Sequence, residues 1–263
     1  MEIKALGCYG AEFSETDAEG KTVTYNTSGF LVNRSVLVDA GTISTSLSLN
    51  ELTQVRHVLL SHIHFDHIKG LPFLADTIFG KIPEPIHIHS LDEILTGLHD
   101  HLLNDSVWPD FTKLPNREQP TFRLSELRED DRQEVGGLQV IPVRVNHIVP
   151  TIGFIIQDRT GSVLYSGDTH ETQRIWEVAS KITHLKAAII ETSFPNDLHR
   201  LAVQSGHLTP RLLAQEFAKI GKPDIPLYVY HMKPQYVEHL TTEIAALKIP
   251  NVRLLKDGQT FTV

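Results

Sequence analysis

The sequence of 263 residues predicts an α/β fold in which two β-sheets pack face to face and helices cover their outer sides. Strand-like segments, either apolar throughout or alternating, are interspersed with helix-like segments along the chain. A strand-rich, helix-containing order occurs twice, each time over about half of the chain, and no linker-like segment separates the two halves. We therefore expect a single domain spanning residues 1–263.

The first half is expected to contain strands joined by turns, followed by helices. Residues 14–20 are acidic and polar and are predicted to be a hairpin loop. Pro72 is compatible with the first turn of a helix over residues 71–79, and S-L-D-E from Ser90 predicts a capping box that opens a helix reaching about Leu103. Residues 43–49 predict a further short helix, and the predicted strands are 3–8, 23–27, 30–32, 35–39, 55–60 and 85–89.

Residues 104–131 interrupt this pattern, because the segment is rich in proline and turn-forming residues. We predict a long irregular insertion that could form a lid, since long loops in compact domains are often functional. Trp108 and Phe111 argue against disorder. Their rings could pack on the body of the protein or stack on a flat ligand such as a nucleobase, and both alternatives stay open.

The strand pattern returns in the second half. Thr209 and Pro210 predict the N-cap and the first position of a helix. Further helices are predicted over residues 172–180 and 236–247, and strands over 138–145, 153–157, 162–166, 187–190, 227–230, 252–255 and 260–263.

Composition excludes several classes of site. The only cysteine, Cys8, excludes a disulfide within the chain and a thiolate zinc site, and its apolar strand predicts a buried structural thiol. A formal net charge of -8 without a basic run argues against a nucleic-acid surface. The chain shows no signal-peptide pattern and no apolar stretch of membrane-spanning length, so a cytoplasmic protein without a membrane partner is expected.

The densest cluster of potential metal ligands is S-H-I-H-F-D-H-I-K-G, which directly follows the apolar run 58–60. Imidazole and carboxylate groups are ligands for zinc and other first-row metals. His62 and His64 can point at one metal from a strand-to-loop turn, while Asp66 and His67 fall on the far side of the turn and can hold a second. His87 and His89 share one face of a strand and form an alternative pair, which we set aside because ligands are sufficient elsewhere.

Three further residues, His147, Asp168 and His231, stand where predicted strands end. We assign His147 to the metal held by the first two histidines, and His231 to the second metal. Asp168 could bridge both, because a carboxylate has two oxygens. Two ions about 3.5–4 Å apart can share a hydroxide that is nucleophilic at neutral pH. Asp39 also ends a strand, and it is either a turn residue or a carboxylate that orients the histidine loop.

The pattern H-x-H-x-D-H over residues 62–67, followed by single His, Asp and His residues at strand ends, resembles the metallo-β-lactamase superfamily. The resemblance covers essentially the whole chain and implies an αββα sandwich with a dinuclear site at one edge. It also implies two divalent ions, with zinc expected and manganese or iron as alternatives. The superfamily hydrolyses β-lactams, thioesters, lactones and phosphodiesters, so the fold alone does not identify the substrate.

Further motifs are similar to those of class II cyclic-nucleotide phosphodiesterases, namely E-T-S-F-P-N from Glu191, G-H-L-T-P from Gly206, H-M-K-P from His231 and W-P-D-F from Trp108. The resemblance implies hydrolysis of 3′,5′-cyclic nucleotides, cAMP or cGMP, to 5′-monophosphates by a metal-bridging hydroxide, and a possible homodimer. The sequence departs from the family signature at Phe65, at Pro72 and at the pair Ala75-Asp76. These departures bear on the shape of the pocket and therefore on which diester is preferred.

Phosphodiester cleavage needs a proton for the leaving alkoxide and charge stabilisation on the phosphate oxygens. A histidine held protonated by a glutamate can meet either need. We therefore assign His207 with Glu191 to catalysis, together with Asp66, and we assign Trp108 and Phe111, again with His207, to substrate binding.

Four alternatives to this function remain. RNase Z shares the Glu and Gly-His motifs, but residues 147–168 leave no room for its basic arm. A lactonase or thioesterase would not need the Glu191/His207 pair, and a β-lactamase is usually secreted. A catalytically idle nucleotide-binding or scaffold relative is the alternative from another class, and a metal analysis combined with a hydrolysis assay separates it from an enzyme.

Overall fold

The computed structural model, which describes residues 1–16 and 18–263, places the strands in two seven-stranded sheets and one two-stranded hairpin. The strands are β1 (Glu2–Gly7), β2 (Phe13–Thr16), β3 (Thr22–Tyr25), β4 (Gly29–Val32), β5 (Val36–Val38), β6 (His57–Leu59), β7 (Ile86–Ser90), β8 (Phe122–Glu126), β9 (Gln133–Val135), β10 (Leu138–Arg144), β11 (Ile152–Gln157), β12 (Ser162–Tyr165), β13 (Leu185–Glu191), β14 (Leu227–Tyr230), β15 (Val252–Leu254) and β16 (Thr260–Thr262). The helices are α1 (Leu49–Leu52), α2 (Phe65–Ile68), α3 (Gly70–Ile78), α4 (Asp92–His101), α5 (Arg174–Lys181), α6 (His199–Ser205), α7 (Pro210–Ala218) and α8 (Val237–Ala246).

The two large sheets have matching architectures. The first has the order β16-β1-β4-β5-β6-β7-β8 and the second β15-β14-β13-β12-β11-β10-β9. In each, the strands that come first in the chain pair antiparallel and the later ones pair parallel. Only β16 crosses back, pairing antiparallel with β1. The repeated order expected from the sequence therefore corresponds to one sheet per half.

The sheets face one another across a shared apolar core. The ring of Phe30 on β4 lies 5.6 Å from the rings of both Tyr165 on β12 and Tyr230 on β14, and all three side chains are fully buried. The short strands in this core are apolar at almost every position, as expected for strands buried on both faces. The predicted α/β sandwich is confirmed.

Helices cover the outer faces, with α4 against β7 and β8 and α5 against β10. Helix α7 begins as predicted, because the Thr209 side chain accepts a hydrogen bond from the Leu212 amide and Pro210 occupies the first turn. In the described part of the chain, no helix has both the length and the apolar composition needed to cross a membrane.

Some local predictions are wrong. Residues 122–126 are not irregular but form edge strand β8, parallel to β7, whereas residues 104–121 are irregular as expected. Ser90 does not cap α4, because it is buried in β7 and donates its hydroxyl to the Leu60 carbonyl. The short helix begins only at Leu49, with Ser48 and Glu51 forming a capping box.

The structure also contains elements that were not predicted, namely β9, α2 and α6. Within the predicted loop 14–20, residues 14–16 belong to β2, and Asp17 lies outside the described residues. Apart from α2, which lies within the histidine loop, these differences concern the periphery, and none moves the strands that end at this loop.

Candidate metal centre

The histidine loop starts at the end of β6 and continues into α2. His62 and His64 lie in the extended segment after the strand, whereas Asp66 and His67 lie on the helix. Gly41 allows this helix to approach the neighbouring chain, because a Cβ atom at that position would lie 2.0 Å from the Asp66 carbonyl oxygen. The local backbone thus separates the loop residues into two pairs, as the sequence suggested.

The remaining predicted ligands come from the second sheet. His147 follows β10, Asp168 follows β12 and His231 follows β14. Strands β12, β13 and β14 run parallel, so the residues after them meet at the same edge of the sheet. The structure brings all seven predicted ligands together in two groups whose ligand atoms lie within 4.8 Å of one another: His62, His64, His147 and Asp168, and Asp66, His67 and His231.

Asp168 lies between the two groups. Its Oδ2 atom is 3.7 Å from Nε2 of His62, 3.3 Å from Nε2 of His67 and 3.2 Å from Nε2 of His231. Within the groups, His64 Nδ1 lies 3.1 Å from His147 Nε2, and His231 Nε2 lies 3.2 Å from Asp66 Oδ2. The Asp168 carboxylate therefore lies next to imidazoles of both groups.

The outward nitrogen of several imidazoles is held by a hydrogen bond. The Ser61 hydroxyl donates to Asp39 and faces His62 Nδ1 at 2.9 Å, so that nitrogen must carry the proton. His147 Nδ1 donates to the Gly206 carbonyl at 2.8 Å, and His67 Nδ1 donates to Asp39 at 2.8 Å. Each bond leaves the Nε2 lone pair of its imidazole facing the centre, as in histidine metal ligands.

Burial keeps most of these imidazoles neutral. It lowers the pKa of His62 well below its usual value and that of His147 to about 4, and it also lowers the pKa of His64 and His231. Burial opposes the charged form of His67 too, but Asp168 and Asp39 outweigh it and raise the pKa of that residue. Neutral imidazoles and ionised carboxylates are the forms that bind divalent metals.

Two buried polar atoms support a metal at this position. His62 Nε2 and Asp168 Oδ1 make no hydrogen bond to any residue that the structure describes. Such atoms are costly to bury without a partner. A set of imidazole nitrogens and carboxylate oxygens suits zinc, manganese or iron, so the residues present fit a pair of divalent ions.

The Glu191/His207 pair adjoins the two groups. His207 Nδ1 donates to Glu191 Oε1 at 2.8 Å, and the His207 ring lies 5.1 Å from that of His147 and 5.2 Å from that of His231. Glu191 is fully buried at the end of β13 and also accepts from the Ser193 hydroxyl, which faces His231 Nδ1 at 2.9 Å. The pair is thus connected to a predicted ligand.

His207 could also be counted as a ligand, because it groups with Asp168 and His231 within 4.8 Å. Burial lowers the pKa of His207, but the charge and hydrogen bond of Glu191 outweigh it and raise that pKa. A raised pKa keeps more of the imidazole protonated at neutral pH, which is the form that can donate a proton. His207 is therefore a candidate proton donor as well as a candidate ligand.

The two aromatic residues predicted to bind substrate differ in position. Phe111 is 4% exposed and packs against the rings of Phe79 and Phe122, so its assignment to substrate binding is corrected to a core role. Trp108 is half-buried and packs against Phe73, which is 55% exposed. Trp108 therefore stays a candidate.

Several supporting residues were not recognised in the sequence. Tyr165 donates to Asp39 at 2.6 Å across the two sheets, and Ser61 and Ser193 hold His62 and His231. Asp39 itself is fully buried, with the left-handed φ of 55°, and it orients the loop. The position of Ser61 beside His62 was a usable signal, whereas nothing in the sequence pairs Tyr165 with Asp39.

We expect Asp39→Asn to reduce metal affinity about 10- to 100-fold, the usual effect of removing a partner behind a metal ligand. Asparagine tolerates the left-handed backbone, so the change removes mainly the negative charge that faces His67 Nδ1. A competition titration with a chelator measures this affinity. Tyr165→Phe is the control, since it removes one bond to Asp39 and leaves His67 paired. Equal affinity in Asp39→Asn and the unmodified protein would contradict the role.

Comparison with known sequences gives relatives of several activities, including a ribonuclease J and an octanoyltransferase as well as the two proteins that follow. The chain is 25% identical over 185 residues to 3′,5′-cyclic-nucleotide phosphodiesterase 1 of Saccharomyces cerevisiae, which covers 62% of this chain and 50% of the relative. It is 26% identical over 183 residues to ribonuclease Z of Pyrococcus horikoshii, and this match covers 64% of this chain and 55% of the relative. The chain thus spans about half of the length of these curated relatives.

Solved structures share the fold at low identity. The metallo-beta-lactamase fold protein YhfI from Bacillus subtilis superposes with a TM-score of 0.74 at 20% identity, covering 99% of both chains. Unliganded yeast PDE1 gives a TM-score of 0.76 at 20% identity, covering 98% of both. The family described as beta-lactamase superfamily domain matches residues 34–232, a range that contains all seven predicted ligands. The chain therefore belongs to the metallo-β-lactamase superfamily of hydrolases, with His/Asp clusters suited to divalent metals.

Proposed function

We propose that the chain is a metal-dependent phosphodiesterase that hydrolyses 3′,5′-cyclic nucleotides to 5′-monophosphates. The observation that carries the proposal is the buried Glu191/His207 pair beside the predicted ligands. Cleavage of a phosphodiester expels an alkoxide, which is a poor leaving group unless it is protonated. Hydrolysis of a thioester expels a thiolate, a much better leaving group that needs no proton, so the pair favours a phosphodiester over a thioester.

The chain's own groups have separate tasks in this reaction. Bound divalent ions would provide a nucleophile at neutral pH and neutralise charge on the phosphate. His207 donates the proton of Nε2 to the departing 3′-oxygen, while Glu191 keeps the imidazole oriented through Nδ1. The Asp66 side chain is 24% exposed, whereas Asp168 is 1% exposed. We therefore assign Asp66 to contact the attacking water as well as a metal.

Apolar side chains flank the same centre. Phe65 and Ile148 directly follow the predicted ligands His64 and His147, and they are 66% and 59% exposed. The imidazoles of those two ligands are hydrogen-bond distance apart, so both apolar residues border one group. Exposed aromatic and aliphatic surface of this kind suits a nucleobase. Phe65, Ile148 and Trp108 are accordingly proposed to contact the base.

A small cyclic substrate fits better than a precursor tRNA. The segment between His147 and Asp168 consists of β11 and β12 joined by a tight turn at residues 158–161, so it holds no basic arm. The formal net charge of -8 also disfavours a polyanion. Similarity to both a cyclic-nucleotide phosphodiesterase and ribonuclease Z is consistent with a shared phosphodiester chemistry.

We expect the metal-loaded protein to turn over cAMP or cGMP with kcat/KM of about 10⁴ M⁻¹s⁻¹ or more, the lower end for efficient enzymes. Chromatography of the products should show the 5′-monophosphate. Bis(p-nitrophenyl) phosphate and a 3′-extended precursor tRNA are the comparison substrates. Cleavage of the tRNA with cAMP left intact would replace this proposal by a ribonuclease Z-like function. Full metal occupancy without turnover of any diester would instead indicate a binding or scaffold protein.

A further inference from the structure

Lys233 stands two residues after the predicted ligand His231, in a segment whose backbone is held firmly. The His231 amide donates to the Cys8 carbonyl at 2.7 Å, and the Gly10 amide donates to the Met232 carbonyl at 3.1 Å. The Lys233 amide then donates to the Ser193 carbonyl at 3.3 Å. The origin of the lysine side chain is thus fixed relative to the metal centre.

The ammonium group of Lys233 is hydrogen-bonded to the backbone segment that packs on the His231 imidazole. The residue is half-buried, and its Nζ atom donates to the Gly10 carbonyl at 2.5 Å. Gly10 in turn packs on the His231 imidazole, since a Cβ atom there would lie 2.8 Å from Cε1 of that ring. An ammonium has three donors, so two remain beyond the bond to Gly10.

No carboxylate of the described residues 1–16 and 18–263 lies within 4 Å of this ammonium. Its positive charge nevertheless reaches the centre. Burial has the largest effect on the pKa of both His231 and His207 and lowers it, whereas nearby carboxylates raise it. The positive charge of Lys233 has a smaller effect and lowers the pKa of both residues. A half-buried cation without a paired anion is stabilised when an anionic ligand binds next to it.

We infer that Lys233 binds a non-bridging oxygen of the substrate phosphate and is a substrate-binding residue of this centre. The inference rests on the proposed phosphodiesterase function and assigns the phosphate its ligand from the protein. Lysine is a common point-charge ligand for phosphate, and the fixed backbone from His231 to Lys233 sets its distance from the centre.

Lys233→Met keeps most of the apolar stem and removes the charge. We expect it to weaken binding of 5′-AMP and of inorganic phosphate about 10- to 100-fold, the range for a lost charge-assisted hydrogen bond. Isothermal titration calorimetry of the metal-loaded protein measures this directly. KM for cAMP should rise by a similar factor while the metal content stays unchanged. Lys233→Arg should recover part of the affinity, because it restores the charge.

Lys222→Met is the matched control. Its ammonium also donates to a backbone carbonyl, that of Ser180, and it too has no carboxylate within 4 Å in the described part of the chain. Lys222 lines a groove of about 370 Å³ with residues of α7 and the turn after α8, and it belongs to neither predicted ligand group. Its replacement should leave phosphate affinity and KM as they are.

The outcomes separate this inference from the proposed function. Weakened phosphate binding in Lys233→Met, in a protein that hydrolyses no cyclic nucleotide, would support Lys233 as the phosphate ligand and refute the cyclic nucleotide as substrate. Unchanged affinity and KM in Lys233→Met, in a protein that does hydrolyse cAMP, would overturn the inference and leave the function standing. Equal weakening in Lys233→Met and Lys222→Met would indicate a general charge effect and also overturn it.

Discussion

Replacing Asp168 with asparagine is expected to reduce hydrolysis about 10³-fold or more, since a metal contributes several kcal/mol to the transition state and each 1.4 kcal/mol is a factor of ten. Asp168 Oδ2 lies within 3.7 Å of three imidazoles that belong to different groups. An asparagine has nearly the same shape but lacks the negative charge and one of the two acceptor oxygens. Elemental analysis after dialysis should show the metal content falling from about two ions per chain to about one or fewer.

Glu216→Gln provides the control for the loss of a buried carboxylate. Glu216 is fully buried and accepts hydrogen bonds from the Trp176 indole and the Thr172 amide, between α5 and α7. Its replacement should lower thermal stability without changing the metal content. If Asp168→Asn kept two ions per chain and turnover within tenfold of the unmodified protein, the bridging assignment would be wrong.

Much of the metal centre was predictable because its ligands follow strands. An apolar strand fixes where the chain emerges at the edge of a sheet, so His62, Asp168 and His231 could be placed from the runs that precede them. The cluster 62–67 supplied two pairs within one turn. Local signals of this kind depend on residues close in sequence, and the structure brings the expected groups together.

The parts that sequence alone did not reveal depend on distant contacts. The sequence left Phe111 either a core residue or a ring that stacks on a ligand, and the fold buries it against Phe79 and Phe122. Strand β8 follows a proline-rich run and gains its identity only by pairing with β7. The hydrogen bond from Tyr165 to Asp39 spans 126 residues, a separation for which one sequence carries no signal.

The surroundings of the Lys233 ammonium also depend on residues that are distant in sequence. The motif H-M-K-P was visible in the sequence, but the lysine gained a chemical role only when the backbone of residues 8–10 placed Gly10 between Nζ and the His231 ring. Sequence patterns therefore predicted the residues of the two groups, whereas the proposed role of Lys233 depends on the packing around them.

Replacing His207 with alanine is expected to reduce hydrolysis of cAMP about 10²- to 10⁴-fold, the usual contribution of a general acid. The same change should have a much smaller effect on bis(p-nitrophenyl) phosphate, because p-nitrophenolate leaves without needing a proton. Comparing the two substrates therefore separates two roles of His207. If it donates a proton, activity on cAMP should fall much more, whereas if it binds phosphate, activity on both substrates should fall by a similar factor. His99→Ala is the control, since His99 also pairs with a carboxylate, at 3.2 Å from Asp110, but belongs to neither ligand group.

The pH dependence gives a second test of the same acid. Burial lowers the pKa of His207, but the negative charge and the hydrogen bond of Glu191 raise it by more. His207 therefore keeps its proton to a higher pH than an ordinary histidine. A general acid works only while protonated, so activity should fall as pH rises through this pKa. Glu191→Gln removes the charge that raises the pKa, and the descending limb of the kcat/KM profile for cAMP should move to lower pH. A limb that stayed in place would show that a different group titrates, and His207 would lose its assignment as the acid.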